Sequence, residues 1–401
     1  MTSWRQAACL ATAFASLAIA RPLPAMAQAA GEPIKIGVPM PLTGTLAGAG
    51  NLIALGIRYS AEEANKSGGV LGHKIDLLIE DTKSEPNSAA TTGAKMAAQD
   101  KVYAFVGGYG STSDFALLQS IKRFNPIFMH PASSSVKLEQ AFGKEPGYFH
   151  VYIWDYNRQK AAAAFLTSVT PKVETVAIAY EDGLYGSDAA KYSEQYMGKA
   201  GLKLVMREPF KAGTPDFSPI LNRAKAANAD VLFFVGYSGD NIQFVKQARA
   251  LDVKPKLILL VNAGEKRADF GDAGEGVALI GEWAPEQKTA GLATFITGIN
   301  AWLPNGQKVQ PAMVQGYTAM DTLIQAIKSA NTLDQAKVLQ ALDTQTFNTP
   351  YGALKYQESD GGALHQLLSE KNMIVYQYRK EGEDVVWPAE KASGVLAYPA
   401  P

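Results

Sequence analysis

One cysteine, Cys9, and four histidines are all that a sequence of 401 residues offers in the way of thiols and imidazoles. Cys9 falls inside the first segment, Met1 to about Ala27, which carries Arg5, an apolar run from Ala7 to Ala20, and Ala25-Met26-Ala27. That is the layout of a secretory leader, with small residues where signal peptidase cuts. The cut is expected after Ala27, with Ala30 as a second position, because Arg21 stands between the apolar run and the small residues. Cys9 also lacks the Leu-x-small-Cys setting of a lipidation site. The mature chain is therefore expected to carry no thiol. Disulfides, thiolate metal sites and cysteine nucleophiles are excluded, and stability must come from a large core.

His73, His130, His150 and His365 lie in unrelated contexts, and none has the His-Glu-x-x-His spacing of a metal site. An excess of one charge is missing too. Lys and Arg number 38 against 38 Asp and Glu, and loss of Arg5 and Arg21 with the leader leaves a net charge of about −2. Neither nucleic acid nor an anionic membrane is an expected partner. Past the leader no apolar run approaches the roughly 20 residues of a membrane span, so the mature chain is expected to be soluble.

What the sequence does contain is an alternation of short apolar runs with amphipathic segments. Strands are predicted at Ile34 to Val38, Ile75 to Glu80, Val102 to Val106 and Pro126 to Met129, with helices over Asn51 to Asn65, Asn87 to Gln99 and Asp114 to Arg123. After His150 the pattern restarts. Helices are expected over Asn157 to Val169, Ser187 to Lys199, Asp216 to Ala227 and Asp240 to Leu251. Strands are expected at Thr175 to Tyr180, Lys203 to Arg207, Val231 to Val235 and Leu257 to Val261. From about Trp283 long helices return, over Gly291 to Trp302, Val314 to Ser329 and Leu333 to Leu342, before a strand-like Met373 to Arg379. Repeated βα units give parallel sheets covered on both faces, and their number here exceeds one ordinary domain. Two α/β lobes, each a doubly wound parallel sheet, are expected.

In such sheets ligands bind beyond the carboxyl ends of strands. Two loops there carry chemistry: Gly107-Gly108-Tyr109-Gly110-Ser111-Thr112-Ser113-Asp114 and Pro131-Ala132-Ser133-Ser134-Ser135. Glycines admit a ligand to the backbone, and hydroxyls with the first amides of a helix suit a carboxylate. A serine after a strand also suits a helix cap, and each loop alone fits either role. Their pairing on neighbouring strands favours a shared cleft. No Gly-Lys-Ser/Thr follows the glycines, so a nucleotide-phosphate loop is excluded.

The chain resembles the periplasmic leucine/isoleucine/valine-binding proteins of ABC importers. The likeness rests on Ile34 to Val38 followed by Pro41-Leu42-Thr43-Gly44, on Glu62 to Gly72, and on Val106-Gly107-Gly108 with Ser111, and it continues through Tyr185-Gly186 and Gly236-Tyr237 to Gly316-Tyr317. Each motif is weak alone; their order and spacing are specific. The resemblance implies a type I periplasmic-binding-protein fold, with lobe 1 at 33–152 plus 283–356 and lobe 2 at 153–282 plus 365–395. A three-crossover hinge would lie near Ile153, Gly281 and Tyr356 to Lys371. It further implies that Ser111, Ser133 and Ser134 hold a ligand carboxylate while Tyr185 and Tyr237 of the second lobe close over it, Tyr109 lying in the first loop. The implied partners are a small carboxylate ligand and an inner-membrane permease and ATPase complex. The protein would be a periplasmic monomer with no cofactor.

Two positions depart from the family. Ala49 stands where an aromatic is expected, and Ala263 where a glutamate meets the ligand ammonium; Glu265 is two residues on. Tyr152, Trp154 and Asp155, at the first crossover, are candidates for an aromatic wall and a replacement acid, or for a packed hinge. His130 near Ser133 invites a nucleophile and base, yet no Gly-x-Ser-x-Gly elbow exists, and the chain is read as non-enzymatic. The ligand is expected to be a branched-chain or other amino acid, with aromatic or other non-amino organic acids or amides as the alternative. An exported sensor subunit is the alternative to a transport component.

Overall fold

A computed structural model describes residues 31–261, 264–287 and 289–401. The segment expected to be a leader, with Cys9, and Ala263 lie outside the described residues. The first strands of the chain build one sheet: β1 (Gly31–Met40), β2 (His73–Asp81), β3 (Ala104–Val106), β4 (Ile127–His130) and β5 (Tyr148–His150), in the order β2-β1-β3-β4-β5 and all parallel. Between them run α1 (Ala47–Lys66), α2 (Pro86–Lys95), α3 (Ser111–Ile121) and α4 (Val136–Phe142). Helix α1 buries Ile53, Ile57, Ala61 and Ala64, the spacing that puts apolar side chains on one helical face. The four predicted strands and three predicted helices overlap these elements, four of them with an end that runs one to four residues beyond. Neither α4 nor β5 was foreseen: at seven and three residues they are too short to show a period.

Helix α5 (Asp155–Ser168) opens the second unit, followed by β6 (Thr175–Glu181), α6 (Leu184–Lys199), β7 (Lys203–Phe210), α7 (Ser218–Ala227), β8 (Val231–Val235), α8 (Ser238–Ala250), β9 (Leu257–Val261), α9 (Arg267–Phe270) and β10 (Ala278–Gly281). Strands β8 and β9 are buried at every residue, as central strands covered on both faces must be. Alternation sends Phe233 to the side packed by Phe165 and Leu166 of α5, and Phe234 to the side packed by Phe217 and Phe244.

The chain then returns to the first sheet. Helix α10 (Leu292–Trp302) leads to α11 (Pro311–Ala330), which packs Ala319, Met320, Leu323 and Ile327 into the core beneath β1. Here α1 and α11 cross at backbone contact: a Cβ on Gly56 would lie 1.9 Å from the Met313 carbonyl oxygen, and one on Gly316 would lie 2.1 Å from that of Ile53. Helix α12 (Gln335–Thr344) and a hairpin of β11 (Phe347–Thr349) and β12 (Gly352–Leu354) complete this unit. The following segment stays on the first sheet, where Leu367 N donates to the His150 carbonyl and His365 stacks on Phe149 at 4.1 Å. Passage to the second sheet comes between Leu367 and β13 (Ile374–Tyr378).

The second sheet runs β14-β13-β10-β9-β8-β6-β7, with β14 at Glu383–Trp387. Strands β13 and β14 are antiparallel to their neighbours, so this sheet is mixed where a wholly parallel one was expected. The chain re-enters from the other lobe, free of a βα crossover, and β14 follows by a tight hairpin, so nothing imposes the parallel direction. Among the described residues no helix is long and apolar enough to cross a membrane.

Candidate functional site

A cavity with about 460 Å³ of space between atoms, part of it open to solvent, lies between the carboxyl ends of the two sheets. The first lobe contributes Tyr109, Gly110 and Ser111 after β3, Ala132, Ser133 and Ser134 after β4, Ala49 of α1, and Ala312 and Gln315 of α11. From the second lobe come Arg158 of α5, Tyr185 of α6, Gly236 and Tyr237 after β8, and Val261 and Gly264 at the end of β9. Tyr152, on the first crossover, joins them. Both hydroxyl loops therefore reach one crevice, together with all four tyrosines singled out from the sequence, Tyr109, Tyr152, Tyr185 and Tyr237. The rings form a continuous wall, with Tyr237 5.9 Å from Tyr109 and 5.5 Å from Tyr185. Burial raises the pKa of Tyr185 and Tyr237 well above the ordinary tyrosine value, so both stay neutral.

The serines differ in what their hydroxyls do. Ser111 is the first residue of α3, and its Oγ accepts from Ser135 N at 3.3 Å. Ser133, held at φ 66°, donates to Asp114 Oδ2 at 2.6 Å and accepts from Gly110 N at 2.9 Å. Asp114 also meets His130 Nε2 at 2.9 Å, so the carboxylate sits between His130 and Ser133 and no serine–imidazole pair exists there. Gly108 and Gly110, at φ 90° and 97°, wrap the loop around this aspartate: a Cβ on Gly108 would come within 2.8 Å of Asp114 Oδ1. Ser134 donates to Asp155 Oδ1 at 2.9 Å and accepts from Arg158 Nη1 at 3.0 Å.

Arg158 is the charged cavity residue that the sequence reading missed. It is 1 % exposed and lines the cavity. Its Nη1 donates to Asp155 Oδ1 at 2.5 Å as well as to Ser134, and its Nη2 donates to Tyr152 Oη at 3.2 Å. The rings of Tyr152 and Tyr185 lie 5.5 and 5.6 Å from the guanidinium carbon, within cation–π range. Burial works against its charge, but Tyr152, Asp155 and Tyr185 around it hold its pKa above the usual arginine value. Burial pushes the Asp155 carboxyl up to about 7 even with Arg158 beside it. The signal in the sequence was an acid and a base three apart, Asp155 and Arg158, directly behind the buried run Val151 to Trp154.

Asp155 thus faces Arg158 and Ser134 and does not line the cavity. Trp154 is no cavity wall either: its ring stacks on His150 at 3.7 Å and 7°, within the core under β3 and β4. Residue 154 precedes α5 by one position, and the turn into the helix sends the indole back into the first lobe. Glu265 is buried, and its Oε1 accepts from Asn241 Nδ2 at 2.7 Å. Gln315 donates to Glu282 Oε1 at 2.7 Å behind the wall. Among the described lining residues, Arg158 is the one charged side chain.

Outside the cavity the lobes touch directly. Ser135 Oγ donates to Asp188 Oδ2 at 2.5 Å, Lys137 N donates to the same oxygen at 3.3 Å, and Leu184 N donates to Thr112 Oγ1 at 3.2 Å. These bonds join the starts of α3 and α4 to α6, and with them the cleft is shut.

The profile of the periplasmic binding protein family matches residues 33–383. The leucine-, isoleucine-, valine-, threonine- and alanine-binding protein of Pseudomonas aeruginosa is 27% identical over 378 residues, which cover 93% of this chain and 96% of that protein. Solved structures with the same fold include a leucine-binding protein from Thermotoga maritima (TM-score 0.77, 22% identity, 88% of this chain and 97% of that one). Another is a solute-binding protein of an ABC transporter from R. palustris in complex with benzoate (TM-score 0.80, 17% identity, 92% and 97%). With a family profile matched along most of its length and two lobes closed on a cavity, this chain belongs to the periplasmic binding protein family.

Proposed function

We propose that this chain is the exported solute-binding component of an ABC importer, a periplasmic monomer that captures one small carboxylate-containing solute and presents it to a membrane permease and ATPase complex. The observation that carries this reading is the cavity at the carboxyl ends of both sheets, walled from both lobes by tyrosines, small residues and one cation. A leader over residues 1–27 supplies the export signal. Solute enters between open lobes and meets the loops of Ser111, Ser133 and Ser134 with Tyr109. Rotation about crossovers near Ile153, Gly281 and 356–371 then brings Tyr185 and Tyr237 over it. Contacts made only in the closed form, including those of Asp188, bias the equilibrium that the permease reads.

Two ligand classes fit this capture. A branched-chain or other amino acid is favoured by the Pseudomonas relative and its named ligands. A non-amino organic acid is favoured by the lining, which offers a cation and, among its described residues, no carboxylate. A thermal-shift screen with amino acids and organic acids tests the reading, because a solute bound by the native state alone raises the melting temperature by mass action. Failure of every carboxylate to raise it, at millimolar concentration, would overturn the proposal.

A further inference from the structure

From the hydrogen bonds of Arg158 we infer that its guanidinium edge carrying Nε is the seat of the ligand carboxylate, and that the ligand is an acid with an apolar or aromatic body and no α-amino group. The inference rests on the solute-binding reading above and names the substrate class of that same cavity.

A guanidinium has five N–H donors in a fixed plane. In Arg158, Nη1 serves Asp155 and Ser134, and Nη2 serves Tyr152. Nε has no hydrogen-bond partner although it is buried. Nε and Nη2 flank the same edge of the plane, the edge that accepts a carboxylate side-on through two parallel bonds. A buried N–H of a cation left without a partner is costly, so this atom is one that a ligand oxygen would complete. Asp155 and Ser134 hold the group at Nη1 and Tyr152 holds it at Nη2, and the Tyr152 and Tyr185 rings restrict its tilt. They are positioning residues in this account.

The rest of the cavity argues for what the acid carries. Tyr109, Tyr185 and Tyr237 present ring surface, and Ala49 and Ala312 leave room beside it. A buried ammonium needs an anionic partner, and an unpaired one is not tolerated in a closed cleft. None of the neighbouring acids lines the cavity, and each has a partner of its own: Asp155 is ion-paired with Arg158 through Oδ1, its Oδ2 being unpartnered, while Glu282 accepts from Gln315, Glu265 from Asn241, and Asp114 meets His130 and Ser133.

The test is calorimetry on unliganded protein with benzoate, 3-phenylpropanoate, 4-methylpentanoate, benzamide, phenylalanine and leucine. The expected result is micromolar binding of one or more of the three amine-free acids and at least about 10-fold weaker binding of benzamide and of the amino acids. Arg158→Gln should weaken the best acid by about 100-fold or more, for two charge-assisted bonds lost. Arg158→Lys keeps the charge without the fork and should fall between; it carries the test if the Gln variant does not fold. Micromolar leucine with no response to 4-methylpentanoate would overturn the inference and leave the solute-binding reading standing, as would unchanged acid affinity in Arg158→Lys. If no acid with or without an amine binds, the solute-binding reading falls as well.

Discussion

Asp188 allows closure to be tested apart from ligand contact, because it bridges the lobes without lining the cavity. It is 7 % exposed and lies in α6. In the closed protein its Oδ2 accepts from Ser135 Oγ at 2.5 Å and from Lys137 N at 3.3 Å. Once the lobes separate, all three groups can bond to water, so the two bonds count toward closure rather than toward the folding of either lobe. A short bond to an ionised carboxylate contributes about 1.5–3 kcal/mol and the longer one about 0.5–1 kcal/mol. Asp188→Ala should therefore disfavour the closed form by about 2–4 kcal/mol. If the unliganded protein is mostly open, the whole of that penalty falls on binding, and the dissociation constant rises about 30- to 850-fold. Asp188→Asn keeps an acceptor and should lose about half as much free energy. Calorimetry gives the affinity, and small-angle scattering shows whether saturating ligand still contracts the molecule. An affinity within twofold of the unsubstituted protein, with normal contraction, would refute the latch.

Three further outcomes follow from other contacts. Ser111→Ala and Ser134→Ala should each weaken ligand binding by about 1–3 kcal/mol with the fold intact, the first by loss of a donor in the cleft and the second by releasing Arg158; normal binding with about 0.5–1 kcal/mol lost from urea unfolding would make them caps alone. Acid affinity should tighten as pH falls from 8 to 6. Asp155 gains its proton near pH 7, facing Arg158 and Ser134 with Asp188 and Glu181 nearby, and a neutral Asp155 leaves the Arg158 charge to the ligand. Because folding raises this carboxyl's pKa, the unliganded protein should also lose stability as pH rises from about 4 to about 7, and titration calorimetry in buffers of different ionisation heat should detect proton uptake on binding. Gly316→Ala should cost about 2–4 kcal/mol in urea unfolding, because its Cβ meets the Ile53 backbone at 2.1 Å and no side chain can swing aside. An unchanged midpoint would contradict the helix crossing.

Long periodic segments made the architecture legible. The helices α1 and α11 and the strands β8 and β9 declare themselves by apolar spacing or by unbroken apolar runs. Short elements such as β5 and β12 carry no period and exist because neighbours supply their hydrogen bonds. Within the site, the loops after β3 and β4 were visible because glycine and serine cluster there. Residue type in a loop does not fix side-chain direction, however: Ser133 turns to Asp114 and Trp154 to His150. Arg158 was hidden for the opposite reason. A charge in a helix normally faces water, and only the burial of the whole first turn of α5 places this one inside.

The meeting of α1 with α11 also sets an order of events. The first lobe is begun by the earliest strands and cannot be finished until helices from the far end of the chain arrive; the bond from Trp302 Nε1 to Glu62 Oε2 alone spans 240 residues. Five strands of the second sheet, β6 to β10, are by contrast contiguous in the chain and already share a core. Loops that long close slowly, and nothing rewards the closure before Gly316 reaches Gly56. A chain emerging N-terminus first therefore keeps the opening strands of its first lobe, β1 to β5, without their partner helices until α11 has been released.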